Sequence, residues 1–389
     1  MEPISRRDSI AREQAAAGHL TAGQLTAGQP LPGSAPLGAP SGAGLQGALP
    51  GAGLQSALPG ASLPGVAQAA DPWSSPAPTA GPEGAGPFES EAERRRRRLR
   101  SRPGEPWLVR TARAAKGLVS SDDYPQRLVA ATAGAQAAVS TGRRIAVIGS
   151  RGGAGKTTTA ALLASLYAAA RQDTIAAVDL APAGGTLALR LGVPDAPAID
   201  AAAAVLQQEP AAGADELRRL LAAAGANLWV AGERTLGGHA GSAALSAAGQ
   251  SISRYCPVAV YDCTTGPGEN PDTNWAIGAA QLAVLVAPAS VAGVQDVRRT
   301  AAAWAATPAL AGTGLLAVLT QTDAQAPLDP MSEAKALAGD GLTVLPLGYD
   351  RHLSSGVEFN PGLMSRAVRL QAAELASTAL ALAMEHTGQ

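Results

Sequence analysis

The chain has 389 residues, with 30 Lys and Arg against 31 Asp and Glu and a net charge of -1, so bulk charge gives no reason to expect a nucleic-acid partner. Hydrophobic residues make up 46% but aromatics only 3%, so the core must be built from small aliphatic side chains. The 45 Gly and 29 Pro are too many for a uniformly folded chain and predict a disordered portion.

Two cysteines, Cys256 and Cys263, exclude a disulfide framework and point to a reducing compartment. The opening MEPISRRDSIAREQ lacks the apolar stretch of a secretory signal. No run of about 18 apolar residues is free of Gly, Pro and charge, so no transmembrane segment is expected. The expected location is the cytoplasm, with peripheral attachment at the inner face of the membrane as an option.

Residues 1–93 read as a disordered Pro/Gly/Ala-rich arm. LTAGQLTAGQ repeats a pentapeptide, and GAGLQGALP (42–50) and GAGLQSALP (51–59) repeat a nonapeptide. Such spacing breaks helix and strand alike, and the few leucines cannot form a core. The plain reading is a flexible tail. The sharper one is a partner-recruiting arm with repeated Leu-Pro docking points.

Residues 94–140 read as a basic segment and linker. Between Arg94 and Lys116 there are ten basic residues and one acid, Glu105. EPWLVRTARAAKGLV predicts a short amphipathic helix, with Pro106 at its start and Trp107, Leu108, Ala114 and Leu118 on one side. Residues 94–116 could therefore meet an anionic membrane or DNA, or stay a solvated charge run.

Residues 141–389 read as one α/β domain. Strands are expected at 144–149, 174–179, 227–232, 258–262, 281–288, 315–321 and 342–347, with helical stretches between them. That alternation predicts a doubly wound, mainly parallel sheet with helices on both faces. Ligands of such sheets bind at the carboxyl ends of the strands.

At the first strand's end stands SRGGAGKTT, opening a helix, the context a phosphate-binding loop requires. Gly152, Gly153, Ala154, Gly155, Lys156, Thr157 and Thr158 are the candidate nucleotide-binding residues. The glycines let amides turn toward phosphate oxygens, and the helix N-terminus adds partial positive charge. Lys156 would bridge the β- and γ-phosphates and the Thr157 hydroxyl would ligate Mg²⁺. The chain has only three lysines, Lys116, Lys156 and Lys335, so one of them stands where this chemistry requires it. Asp262, ending the strand VAVYD, is the second candidate Mg²⁺ ligand, and Gly266 could sense the γ-phosphate. Asp179, at the end of the strand TIAAVD, is a further carboxylate near the metal. In TQTD (320–323) only Asp323 matches a guanine-reading pattern, so ATP is the expected nucleotide. Cys263 has no histidine partner in any motif, and the four histidines show no metal spacing.

SRGGAGKTT, VDLAPAGGTLALRLG, VYDCTTG and LAVLVAPASVAGVQDV, in that order, resemble the MinD/ParA group of P-loop ATPases. The resemblance spans about residues 140 to 385 and is nearest to actinobacterial EspI-like proteins associated with type VII secretion. It implies a deviant Walker A loop, ATP/ADP and Mg²⁺ as ligands, and a homodimer that forms on ATP. It also implies that Arg151, in the place of a signature lysine, reaches the other subunit's phosphates. Lys156, Asp179 and Arg151 are then the candidate catalytic residues. Ala181 departs from the pattern, which has an acidic or amide residue there to position the attacking water, so slow hydrolysis is expected. The implied function is a switch or slow ATPase that positions or regulates a larger assembly such as the secretion machinery, with the N-terminal arm as recruiter. A partitioning ATPase that binds DNA non-specifically and a pseudo-ATPase scaffold stay open beside it.

Overall fold

The computed structural model describes residues 99–100, 104 and 123–386, except 183, 236–240, 267 and 269. The arm over 1–93 and the helix expected over 106–118 lie outside the described residues.

The strands are β1 Arg143–Gly149, β2 Ile175–Asp179, β3 Ala222–Ala223, β4 Leu228–Ala231, β5 Val258–Thr265, β6 Leu282–Pro288, β7 Gly314–Thr320 and β8 Val344–Leu347. They form one sheet in the order β3-β4-β2-β5-β1-β6-β7-β8. Every pairing is parallel except β3 with β4. The expected doubly wound, mainly parallel sheet is therefore present. β1 lies between β5 and β6, so the loop that leaves its carboxyl end opens onto the middle of the sheet's ligand-binding edge.

The helices are α1 Tyr124–Ala135, α2 Lys156–Ala170, α3 Leu187–Arg190, α4 Ile199–Gln208, α5 Ala214–Arg219, α6 Ser242–Tyr255, α7 Pro271–Ala279, α8 Val291–Ala305, α9 Pro330–Gly339 and α10 Arg366–Glu385. The pleat of β1 shows how they divide between two faces. Ile145 and Val147 point into a core shared with α2 and α10, whereas Ala146 and Ile148 point into one shared with α4, α6, α7, α8 and α9. Both cores are alanine-rich, as the composition requires. On α10, Ala372, Ala376, Ala379 and Ala383 are buried, and the Tyr167 hydroxyl of α2 donates to the Ala376 carbonyl at 2.7 Å. Alanine at 376 leaves its carbonyl open to the tyrosine hydroxyl.

Two details depart from the expectations. β5 continues to Thr265, so Asp262 stands inside the strand rather than at its end. The extension follows from a shift in pairing after Val147, which sets Gly149 opposite Thr265. The two-residue β3 was not expected, because two alanines carry no alternation to read. Upstream of residue 141, α1 packs on α10, with Arg127 bonded to Glu374 at 2.7 Å and the Arg366 guanidinium 4.0 Å over the Tyr124 ring. Gly104, in the basic segment, is buried. Its N–H donates to the Leu363 carbonyl at 2.6 Å and its carbonyl accepts from Arg351 N–H at 3.3 Å.

Candidate functional site: a phosphate loop facing two buried carboxylates

β1 ends at Gly149 and α2 starts at Lys156, leaving a short loop between them. Gly155 has φ 93°, a left-handed conformation costly for any residue with a Cβ, and it swings the chain into the helix. No side chain caps α2, so its first-turn N–H groups and partial positive charge face the cleft. The loop is fastened from the far side of the sheet. The Thr320 hydroxyl donates to the carbonyl of Ala154 at 2.7 Å, with the Ala287 carbonyl at 3.2 Å. The Lys156 side chain lies along Gly149, where any Cβ would overlap its Cδ, and its Nζ donates to the Arg151 carbonyl at 3.1 Å. Burial lowers the Lys156 pKa, opposed by Asp262 and Cys263. Lys156, Thr157, Thr158, Gly153 and Gly155 line one side of a cleft of about 330 Å³, and Gln321, Thr322 and Tyr349 belong to its other walls. That is room for a small-molecule ligand.

Beneath the loop, Asp179 and Asp262 are partners in the β2–β5 register, with Thr157 bonded to Asp262. Both are buried, at 1% and 3% exposure, so neither can be solvated where it stands. Burial pushes both carboxyls up. Asp179 acts on Asp262 as a like charge and Glu233 on Asp179, while Thr157, by a hydrogen bond, Lys156 and Arg190 favour ionised Asp262. Their hydrogen bonding differs. Asp179 Oδ1 accepts from Ala181 N–H at 2.9 Å and Oδ2 from Leu187 N–H at 3.2 Å, so it orders the turn after β2. Asp262 Oδ1 is buried with no partner. A buried carboxylate oxygen left in this state is an open acceptor for a cation. With the Thr157 hydroxyl beside it, the donor set suits Mg²⁺, which takes one or two protein oxygens and completes its shell with water and phosphate. Among the described residues no group of three or more His, Cys, Asp or Glu could hold a metal.

The structure thus brings Lys156, Thr157, Thr158, Asp179 and Asp262 together. Arg151 is elsewhere: its guanidinium is bonded to Asp296 of α8, Nε to Oδ2 at 2.6 Å. Ala181 presents only a methyl group, and its carbonyl accepts from Arg234 N–H at 3.0 Å. Asp323 is exposed and accepts from Gln325 N–H at 3.0 Å, so it closes its own turn. His352 is buried, its Nε2 accepting from Asn360 N–H at 2.9 Å, and Cys263 is buried. Sequence reasoning did not single out Thr320, Asp296, Arg234 or Arg190. Thr320 ends a buried strand and could have been found by its position at the sheet's carboxyl edge; Asp296 and Arg190 lie inside stretches that carried the resemblance, but no chemistry was assigned to them, and Arg234 lies in a loop outside those stretches.

Residues 145–325 match the family model described as the CobQ/CobB/MinD/ParA nucleotide binding domain. The matched segment is thus similar to a nucleotide-binding domain of that type. A ParA family ATPase from Chlorobium tepidum is similar in structure, at 14% identity over 61% of this chain and 98% of that one, with a TM-score of 0.50. An ATP complex of a McdA variant from Cyanothece matches at 20% identity over 62% of this chain and 97% of that one, with a TM-score of 0.46. The cell division ATPase MinD of Pyrococcus furiosus matches at 19% identity over 62% and 98%, with a TM-score of 0.45. At such identities the likeness concerns the fold alone, and this fold is of the MinD/ParA type. No curated protein matches the chain. No helix among the described residues is long and apolar enough to cross a membrane.

Proposed function

We propose that this chain is an ATP-binding, MinD/ParA-like switch or slow ATPase that dimerises on ATP and positions or regulates a larger assembly, such as a type VII secretion system. One observation carries the nucleotide part: the uncapped start of α2 and Lys156 face a buried carboxylate oxygen, Asp262 Oδ1, that has no partner. A phosphate chain would meet the amides and Lys156, and Mg²⁺ held by Thr157 and Asp262 would neutralise its charge. The loop fixes the phosphates, and Asp179 orders the turn that faces them.

The test is calorimetry with ATP and ADP in the presence of Mg²⁺. Wild-type protein should bind both, and Lys156→Ala should bind neither. Undiminished ATP affinity in Lys156→Ala would remove the site. Size-exclusion with ATP against ADP tests dimerisation, and an identical elution volume would remove the switch. The pseudo-ATPase reading is favoured by Ala181, whose methyl cannot orient water. Binding without any phosphate release would select it.

A further inference from the structure

Arg190, the last residue of α3, belongs to the cleft wall alongside Lys156, Thr157 and Thr158. Arg190 is half-buried, and its surroundings differ from those of the buried arginines. Arg171 bonds Asp173 at 2.6 Å, and Arg234 bonds Asp200 at 2.8 Å as well as Asp272. Among the described residues Arg190 makes no ion pair. Its Nε is buried without a hydrogen-bond partner, and its Nη1 reaches only the Leu353 carbonyl, at 3.4 Å. That distance is at the weak end for such a bond. Burial lowers its pKa, and Asp262 opposes the shift. The residue itself is fixed: its N–H donates to the Thr186 carbonyl at 3.0 Å, and its carbonyl accepts from Phe359 N–H at 2.7 Å.

A guanidinium has only donors, in a planar fork that suits phosphate oxygens. A half-buried one whose Nε is buried without a partner and which makes no ion pair is unfavourable unless a ligand supplies further negative charge. The cleft it lines already has the start of α2 and Lys156. We propose that Arg190 is a nucleotide-binding residue whose guanidinium donates to a phosphate oxygen of the nucleotide held on the loop. This rests on the nucleotide reading above and adds to it. Arg190 comes from the element that follows the Asp179 turn, so a bound phosphate would tie that turn to the Leu353 segment.

The experiment compares full-chain wild type, Arg190→Met and Arg190→Lys by calorimetry with ADP and with inorganic pyrophosphate, both with Mg²⁺. Methionine keeps much of the apolar stem and removes the donors. ADP and pyrophosphate should both bind Arg190→Met about 10- to 100-fold more weakly, the range for losing a charge-assisted hydrogen bond. Arg190→Lys should recover part of that loss. The melting temperature of ligand-free Arg190→Met should equal or exceed that of wild type, because a half-buried cation that makes no ion pair has been removed. Unchanged ADP affinity in Arg190→Met would overturn the assignment. So would loss of ADP binding with pyrophosphate binding intact, which would move Arg190 to the base or ribose. If wild type bound neither ligand, the nucleotide reading would fall, and this inference with it.

Discussion

Arg151 and Asp296 are joined within one chain. Arg151 Nε donates to Asp296 Oδ2 at 2.6 Å and Nη2 to Oδ1 at 3.3 Å, and the Asp296 side chain is only 9% exposed. Arg299 bonds the same carboxylate from one turn along α8. Asp296 thus has two cations, so losing Arg151 would not leave it bare. If Arg151 reaches a partner subunit's phosphates, as proposed, this ion pair must first break. Asp296→Ala should release the arginine. Dimerisation with ATP should then occur at a protein concentration lower by a factor of about 2–5, since half-exposed ion pairs are weak. Multi-angle light scattering after size-exclusion reads this. An unshifted dimerisation curve would mean that the ion pair does not hold Arg151 back.

The same pair has a defined pH dependence. The Arg151 hydrogen bond holds the Asp296 carboxyl below its ordinary value, against burial and with help from Arg299. A depressed folded-state pKa stabilises the fold above the unfolded value of about 3.9, and that contribution is lost as pH falls through the folded value. The melting-temperature gap between wild type and Asp296→Asn should therefore stay flat from about pH 8 to about pH 5 and close below about pH 4. A gap that widened on acidification would contradict the assigned ion pair.

Thr320→Val tests the fastening of the loop. Valine keeps the shape but leaves the Ala154 and Ala287 carbonyls without this donor. Removing one partner of a buried hydrogen bond costs about 1–3 kcal/mol. Thermal melting should show that loss, and ATP affinity should fall as well, because Ala154 lies within the phosphate loop. Lost stability with unchanged affinity would mean that the hydroxyl supports the sheet and not the loop.

What could be read from the sequence divides along physical lines. Continuous apolar runs gave all seven longer strands to within two residues, except that β5 continues three residues further, because a fully buried parallel strand has few other compositions. The loop was legible because glycine, lysine and threonine at that spacing serve few purposes besides phosphate. Asp179 and Asp262 were legible as acids closing apolar runs, although their register partnership is a property of the fold. Thr320, Asp296 and Arg190 were not, since each acts on a group more than 30 residues away and nothing local marks it. Arg151 shows the limit most plainly. Its place in the loop is written in the sequence, but its present partner lies on α8.

Arg234 ties three elements together. Its N–H donates to the Ala181 carbonyl, and its guanidinium bonds Asp200 of α4 and Asp272 of α7. Its side chain is 4% exposed, so the charges it neutralises are largely removed from water. Arg234→Met should destabilise the fold by about 3–5 kcal/mol, as removal of one partner from a buried ion network does. Urea unfolding measures this directly. A loss under about 1 kcal/mol would show the network to be solvated like a surface pair.

Ala181 is the position at which the proposed slow cleavage of ATP is tested. Its N–H is bonded to Asp179 and its carbonyl to Arg234, so the direction of its side chain is set by the backbone on both sides. Only the methyl group is missing a function there. Ala181→Asn supplies an amide able to orient water without adding another carboxylate to Asp179, Asp262 and Glu233. A positioned polar group of this kind contributes about 10²–10⁴-fold at best, so even imperfect placement should raise phosphate release by about 10-fold or more. ATP affinity should change little, because the cradle and the acceptor oxygen of Asp262 are untouched. Phosphate release followed by a coupled assay, at saturating ATP, is the measurement. Unchanged turnover in a folded, ATP-binding Ala181→Asn protein would place the limit on hydrolysis at a position other than Ala181.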